Sequence, residues 1–139
     1  MSFFISRNDD YNYKNIGHEF CINYYNDVEY NGYNSTAKYY YSDAKISFLG
    51  REFNDFSSFI NELNRLNIKS MSINNISGIN QPELNKKILI NTTGNFCIKD
   101  NNNSIYQLTG SNIFSNTFVL VFNDNTQQWH ITNHIFKQI

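Results

Sequence analysis

The most regular pattern of hydrophobic and polar positions lies between residues 55 and 66. The apolar members of this pattern are Phe56, Phe59, Ile60, Leu63 and Leu66. Their spacing puts them on one stripe of a 3.6-residue period, with Glu62 and Arg65 on the opposite side. Asn54 or Asp55 supplies the N-cap. The pattern predicts an amphipathic helix over about 55–66 that lies on a sheet.

Most of the remaining chain alternates between apolar and polar residues with a period of two, which is typical of half-buried strands. The alternating segments are residues 18–24, 38–41, 44–48, 68–73, 87–91, 95–99, 104–108, 117–122 and 128–136. Asn-rich turns at 100–103 and 123–126 predict two antiparallel hairpins, and 74–85 is predicted to be the longest loop. We therefore expect an α+β fold with a largely antiparallel β-sheet, in a single domain over 1–139.

The final predicted strand carries two of the three histidines. Alternation separates two sets, one of Trp129, Ile131 and Ile135 and the other of His130, Thr132 and His134. The tryptophan face is expected in the core and the histidine face in solvent. On a strand His130 and His134 would lie about 13 Å apart at roughly 3.3 Å per residue, too far to share a metal ion.

No catalytic motif, metal-ligand spacing or phosphate loop is present, so we expect neither cofactor, metal nor enzymatic activity. A two-histidine ribonuclease could use His18 and His130, but no feature of the sequence brings them together. Cys21 and Cys97 lie in alternating stretches and are expected to be buried free thiols. The absence of an apolar leader and of a membrane-length apolar run predicts a cytosolic protein.

Charge and aromatic residues are distributed unevenly. Residues 1–62 carry a net charge of −4, residues 63–139 carry +3, and the only cluster of bases is Lys86-Lys87. That pattern lacks the footprint of a nucleic-acid-binding protein, whereas the acidic half should attract a basic protein partner. Nine of the ten tyrosines lie before residue 42, among 25 asparagines in the whole chain. Exposed tyrosine among acids is typical of a recognition surface.

The segment 9–33 combines these two features and is the predicted partner-binding surface. Its candidate contact residues are Asp9, Asp10, Tyr11, Tyr13, Asp27, Glu29, Tyr30 and Tyr33. The acids would steer a basic partner and the tyrosines would anchor it. We expect a protein partner, with no direct nucleic acid and no membrane.

In its organisation the chain resembles the small immunity proteins of bacterial contact-dependent inhibition and related polymorphic toxin systems. The features behind the resemblance are the strand–helix unit at 44–66 and the closing hairpin at 117–136. The resemblance implies one-to-one binding of a cognate toxin domain, commonly a nuclease, by occlusion of its active site or substrate path. Two alternatives remain open: a phage- or virus-encoded inhibitor of a host defence protein, and a small-ligand binding protein or minor enzyme with a concave pocket.

Overall fold

The computed structural model describes residues 2–83 and 86–139, and the side chains of residues 12–83 and 86–139. The helices are α1 (Ser2–Asn26), a π-helical turn (Asp27–Asn31), a 3-10 helix (Tyr33–Tyr39) and α2 (Phe56–Arg65). The strands are β1 (Tyr40–Phe48), β2 (Arg51–Phe53), β3 (Ser70–Glu83), β4 (Lys87–Lys99), β5 (Ile105–Tyr106), β6 (Ile113–Asn123) and β7 (Gln128–Gln138). No helix in the described ranges is long and apolar enough to cross a membrane.

All the strands join one seven-stranded sheet in the order β2-β1-β7-β6-β4-β3, with β5 paired to β4. Five of the strand pairs are antiparallel, but β1 runs parallel to β7. The α+β prediction is confirmed, whereas the sheet is mixed and not purely antiparallel. Interruptions of register between Asn74 and Ser77 and between Val119 and Leu120 let the sheet curl around its core.

The predicted helix over 55–66 is confirmed as α2. Asp55 is its N-cap, and one carboxylate oxygen accepts a hydrogen bond of 2.7 Å from the backbone N–H of Ser58. Phe59 and Leu63 are buried against the sheet with 0% and 1% of their surface exposed. Because those two positions are one helical turn apart, they form the contact that the hydrophobic stripe predicted.

Residues 18–24, predicted as a strand, lie instead in α1, which is the longest helix. Phe20 and Tyr24 are four residues apart and both are buried, while His18 and Ile22 face outward. The alternation of apolar residues at 20, 22 and 24 therefore concealed a helical spacing of four. Residues 38–41 were also predicted as a strand, but the chain stays in the 3-10 helix until Tyr39 and β1 begins at Tyr40.

The segment predicted as the longest loop, 74–85, is largely strand. β3 continues to Glu83 and pairs with β4, which joins the two strands predicted at 87–91 and 95–99. Asn75 takes a left-handed φ of 55° at the bulge, a conformation that asparagine tolerates. Pro82 is accommodated because β3 is the edge strand. The hairpins predicted at 100–103 and 123–126 are confirmed by the β4–β5 and β6–β7 pairings.

The predicted faces of the last strand are wrong beyond Ile131. Leu120 pairs with Ile131 and Val119 with Asn133, so Thr132 is an extra residue that shifts the alternation by one. His134 is consequently buried in the core with 1% exposed, and Ile135 points outward with 39% exposed.

Candidate functional site

The concave side of the sheet contains a buried chain of hydrogen-bonded polar side chains. Tyr24 Oη lies 2.6 Å from Tyr40 Oη, which lies 2.8 Å from Nδ1 of His134. Nε2 of His134 is 2.6 Å from Oδ1 of Asn116. A carbonyl oxygen only accepts, so Nε2 carries the proton, Tyr40 donates to Nδ1 and Tyr24 donates to Tyr40. Burial lowers the pKa of His134 to about 3, which keeps the ring neutral.

The chain continues from Asn116 toward the edge of the sheet. Nδ2 of Asn116 donates to Tyr25 Oη at 2.9 Å, and Tyr25 Oη lies 2.5 Å from Oγ1 of Thr92. Either of these two hydroxyls can donate to the other, because a hydroxyl oxygen can accept more than one hydrogen bond. Every hydrogen bond from Tyr24 to Tyr25 runs in one direction along this polar chain. The network holds α1 to β4, β6 and β7.

Aromatic rings fill the space around this polar chain. The Phe118 ring stacks on His134 with centroids 4.5 Å apart and touches Phe20 and Tyr24 at 5.1 and 5.0 Å. His134 is thus enclosed on its ring faces as well as at both nitrogens. Such a neutral and fully paired interior holds these elements together and presents no free acid or base at this histidine to a substrate.

An open groove lies between α1, the 3-10 helix and the β6–β7 hairpin, with a volume of about 530 Å³. We call it the aromatic groove, lined by Ile16, Glu19, Phe20, Asn23, Lys38, Tyr39, Gln127, Gln128 and Trp129. The four α1 residues recur at three- and four-residue intervals and so share one helix face. Phe20 forms the floor because it is 8% exposed, while Ile16, Tyr39 and Trp129 are half-buried.

A smaller recess of about 140 Å³ adjoins the aromatic groove and shares Ile16 and Trp129 with it. Its other walls include Phe122, whose ring meets Trp129 edge-on at 5.4 Å, and Lys86, whose Nζ lies 5.1 Å from the Phe122 centroid. Trp129 therefore separates two apolar depressions. Each has a lysine at its rim, Lys38 in the larger and Lys86 in the smaller.

Asp27 anchors the wall of the aromatic groove from behind. Its carboxylate accepts hydrogen bonds from Tyr39 Oη at 2.5 Å and from Asn31 Nδ2 at 2.9 Å, and it lies 3.0 Å from Nζ of Lys38. The hydrogen bond from Tyr39 is the main cause of the lowered pKa of Asp27. Burial, followed by the same contact, raises the pKa of Tyr39 above its usual value. These bonds fix the ring of Tyr39, which is half-buried in the wall of the groove.

A second cleft lies on another side of α1, facing β3 and β4, with a volume of about 350 Å³. We call it the α1–β3 pocket, lined by His18, Cys21, Ile22, Tyr25, Asn26, Ile76, Gly78, Asn80 and Thr92. Tyr25 and Thr92 connect its wall to the buried polar chain. The two clefts are thus separated by α1.

The predicted partner-binding residues differ in where the structure places them. The side chains of Asp9, Asp10 and Tyr11 lie outside the described residues, and Tyr13 is half-buried against the core. The remaining members are Asp27, Glu29, Tyr30 and Tyr33. The segment 9–33 as a partner surface stays a prediction.

Tyr33 corrects part of that prediction, because it is only 3% exposed and donates a hydrogen bond to Sδ of Met71 at 3.3 Å. The carboxylate of Glu29 accepts from the backbone N–H of Ile73 at 2.8 Å, so it holds the start of β3. Tyr30, by contrast, is 72% exposed. Of the candidates with described side chains, Tyr30 is therefore the most accessible.

The residues of the aromatic groove were not identified from the sequence. Trp129 was assigned to the core, and Phe20 to a strand; only the spacing of Ile16, Phe20 and Tyr24 could have indicated a helical face. The thiols of Cys21 and Cys97 are free and half-buried. Within the described ranges there is no group of three or more His, Cys, Asp or Glu side chains that could hold a metal ion.

Comparison with known proteins identifies the fold. No protein family and no curated protein matches the sequence. Nuclear transport factor 2 from Cryptosporidium parvum superposes with a TM-score of 0.72 at 21% identity, covering 91% of this chain and 94% of that one. The yeast UBP3-associated protein BRE5 gives 0.64 at 21% identity over 91% and 95% of the two chains. A proposed dehydratase of the NTF2-like family from Streptomyces avermitilis gives 0.66 at 10% identity over 94% and 97%. The chain has an NTF2-like fold.

Proposed function

We propose that this protein is a peptide-recognition domain that binds an aromatic side chain of a protein partner in the aromatic groove. The observation behind the proposal is an open, aromatic-lined groove on a scaffold whose concave interior is filled by its own side chains. Aromatic anchors in apolar depressions contribute most of the binding energy at protein interfaces. Ile16, Tyr39 and Trp129 supply such a depression here.

The rim of the aromatic groove suits a peptide backbone. Asn23, Gln127 and Gln128 are exposed around it and carry amide groups, which both donate and accept hydrogen bonds. An extended peptide exposes the complementary N–H and C=O groups on both sides of each residue. Glu19 and Lys38 place one charge of each sign on the rim, and Lys38 is already paired with Asp27. The groove therefore favours an aromatic residue within an extended segment.

The interior argues against the enzymatic alternative. General acid–base catalysis needs a titratable group that reaches a substrate and changes protonation near neutral pH. His134 occupies the concave face, but it is neutral, stacked on Phe118 and bonded at both ring nitrogens. Burial raises the pKa of Cys21 to about 11, so this thiol is not a ready nucleophile. Binding without chemistry is the use that these side chains support.

One of the structural neighbours supports a protein-binding role for this fold. By its name, BRE5 is associated with a second protein, UBP3. Neutralisation of a toxin domain, the expectation from the sequence, would be one form of such binding and stays a prediction. Asp27 and Glu29, two acids on which that expectation depends, already bind partners within this chain.

The proposal can be tested with peptides, because Trp129 is the only tryptophan and lies in the groove. The probes are a library of acetylated, amidated heptapeptides with a fixed central Phe and the same library with central Ala. We expect the Phe library to yield binders that shift Trp129 fluorescence, and the Ala versions of those peptides to bind at least tenfold more weakly. Equal affinities for the two central residues would contradict the proposal.

Two substitutions on α1 form a matched pair for the selected peptide. Ile16→Arg places a charge on the wall of the aromatic groove, whereas Ile22→Arg places it on the far side of the same helix. Ile16→Arg should weaken binding at least tenfold, about 1.4 kcal/mol, and Ile22→Arg should leave it within twofold. Far-ultraviolet circular dichroism checks that both variants fold. Equal loss in both variants would place the peptide elsewhere.

A further inference from the structure

The α1–β3 pocket is a further cavity of a size suited to a ligand, and the peptide-recognition role does not use it. Its volume of about 350 Å³ falls within the range of small-molecule sites, roughly 300 to 1,000 Å³. The lining joins aliphatic side chains, Ile22 and Ile76, to a small number of polar groups. Apolar walls with few convergent polar atoms are the usual composition of a small-ligand site.

Two glycines shape this pocket by allowing close approach. A Cβ at Gly17 would lie 2.5 Å from Cγ of Asn80, so only glycine lets this side chain lie against α1. A Cβ at Gly78 would lie 2.8 Å from Cγ2 of Thr92. A side chain at either position would collide with a pocket residue. The absence of side chains at 17 and 78 therefore leaves Asn80 and Thr92 in place as pocket walls.

Thr92 has a hydrogen-bond donor to offer on this wall. Asn116 donates to Tyr25, and one hydroxyl of the Tyr25–Thr92 pair donates to the other, so the pair keeps one hydroxyl hydrogen. Among the residues that the structure describes, no acceptor receives that hydrogen. Because Thr92 is 1% exposed, an unused donor there is costly unless something in the pocket accepts it.

The charge of the pocket restricts its occupant. None of the nine lining residues is Asp, Glu, Lys or Arg, so no fixed charge stands ready to pair with an ionic ligand. Burying an unpaired charge carries a large desolvation cost, whereas a neutral oxygen needs only one donor. The occupant that matches these walls is uncharged and mostly apolar, with an oxygen that accepts.

We propose that the α1–β3 pocket binds a small, uncharged, largely apolar carbonyl compound whose oxygen accepts a hydrogen bond from the hydroxyl of Thr92. The hydrogen bond to Tyr25 holds this hydroxyl in place, and a ligand oxygen that accepts from Thr92 leaves Tyr25 to donate to Oγ1. The site is independent of the aromatic groove, from which α1 separates it. Its ligand can therefore bind with or without a peptide.

Acetophenone and ethylbenzene are suitable probes, because they match in size and differ in the carbonyl group. In NMR titrations of isotope-labelled protein, acetophenone should shift the amide resonances of Thr92 and Ile76 and bind at least fivefold more tightly than ethylbenzene. In a Cys97→Ser background it should also slow the reaction of Cys21 with N-ethylmaleimide. Equal affinities, or shifts that do not include this pocket, would overturn the proposal.

Three variants separate the hydroxyl from the shape of the pocket. Thr92→Val should remove the preference for acetophenone while Thr92→Ser retains it, and retention in the valine variant would rule out the hydrogen bond. Ile76→Trp, at a position 43% exposed, should fill the pocket and reduce the affinity of both probes at least tenfold. Binding that survives Ile76→Trp would refute the site. The same variant should leave peptide binding in the aromatic groove within twofold, so the two proposals fail separately.

Discussion

The buried polar chain and the aromatic groove both contain tyrosine, but the tyrosines of the two regions differ in exposure and in hydrogen-bond partner. In the chain, Tyr24, Tyr40 and Tyr25 each find a neutral partner inside the core, and water is excluded. In the groove, Tyr39 is held by the carboxylate of Asp27 at the protein surface, and its ring remains half-exposed. A tyrosine bonded inward closes the interior, whereas one bonded to a surface acid leaves its ring available to a partner.

Phe20 links the two regions. Its ring contacts Phe118 in the interior at 5.1 Å and Tyr39 at the groove at 5.8 Å. The floor of the aromatic groove is thus the outer side of the core. A substitution in the core should therefore alter the shape of the groove. The reverse should not hold, since the groove residues Asn23, Lys38 and Gln128 are exposed and carry little of the packing.

The largest effect on stability is expected from Phe118→Ala. Phe118 is fully buried, and its ring packs on His134, Phe20 and Tyr24. Removal of the ring leaves a cavity among aromatic side chains and should lower the free energy of unfolding by about 3 to 5 kcal/mol. Urea denaturation measures the change. A loss below about 1 kcal/mol would mean that the interior is not packed as described.

Acid should weaken the interior before it affects the groove. Burial lowers the pKa of folded His134 to about 3, against about 6.5 when unfolded, so only the unfolded chain takes up this proton between those values. The contribution of His134 to the free energy of unfolding is complete above pH 6.5. It is lost as the pH falls, at up to about 1.4 kcal/mol per pH unit. The tyrosines that face the ring stay neutral there, because burial raises the pKa of Tyr24 and Tyr40.

The measurement is the unfolding free energy at pH 7 and pH 4.5, in the native chain and in His134→Gln. The pKa of Asp27 is lowered, so its own stabilising contribution is lost only at a more acidic pH than this window. The native chain should lose about 2 to 3 kcal/mol more than the variant across this window. Equal losses would show that another group causes the acid sensitivity.

A smaller loss of stability is expected when one residue of the buried polar chain is truncated. Asn116→Ala leaves Nε2–H of His134 without an acceptor and removes the amide that donates to Tyr25 Oη. The free energy of unfolding should fall by about 1 to 3 kcal/mol, because the desolvation of a buried polar group is no longer compensated by a hydrogen bond. Asn23→Ala, in the groove rim, is the matched control and should change stability by less than about 0.5 kcal/mol. Similar costs at both positions would remove the distinction between the two regions.

The sequence predicted those elements whose pattern is local. α2 was predicted because its stripe and its N-cap both lie within twelve residues, and the 123–126 hairpin because Asn and Asp suit tight turns. α1 was missed because apolar residues at 20, 22 and 24 satisfy a period of two and because Ile22 is an exposed aliphatic residue. The exposed Ile22 between them made the helical spacing from Phe20 to Tyr24 resemble the alternation of a strand.

The two clefts could not be predicted, because each joins residues that are distant in the chain. Trp129 meets Ile16 in the groove only after β7 has paired with β6 and α1 has packed across the sheet. The burial of His134 depends on the extra residue at Thr132, and one inserted residue reverses every later side chain of a strand. Composition indicated a binding surface rich in tyrosine, but it could not distinguish tyrosines that fill the core, such as Tyr33, from those at the surface.

The smallest effect is expected at Tyr30, and it decides between the groove and the surface predicted from the sequence. Tyr30 is 72% exposed and lies outside the aromatic groove, so Tyr30→Ala should leave the urea midpoint unchanged and the affinity for the selected peptide within twofold. Fluorescence of Trp129 measures that affinity, with Ile16→Arg as the positive control. If Tyr30→Ala weakens binding more than tenfold while Ile16→Arg does not, the partner binds the acidic, tyrosine-rich segment 9–33, and the comparison between closed interior and open groove loses its functional meaning.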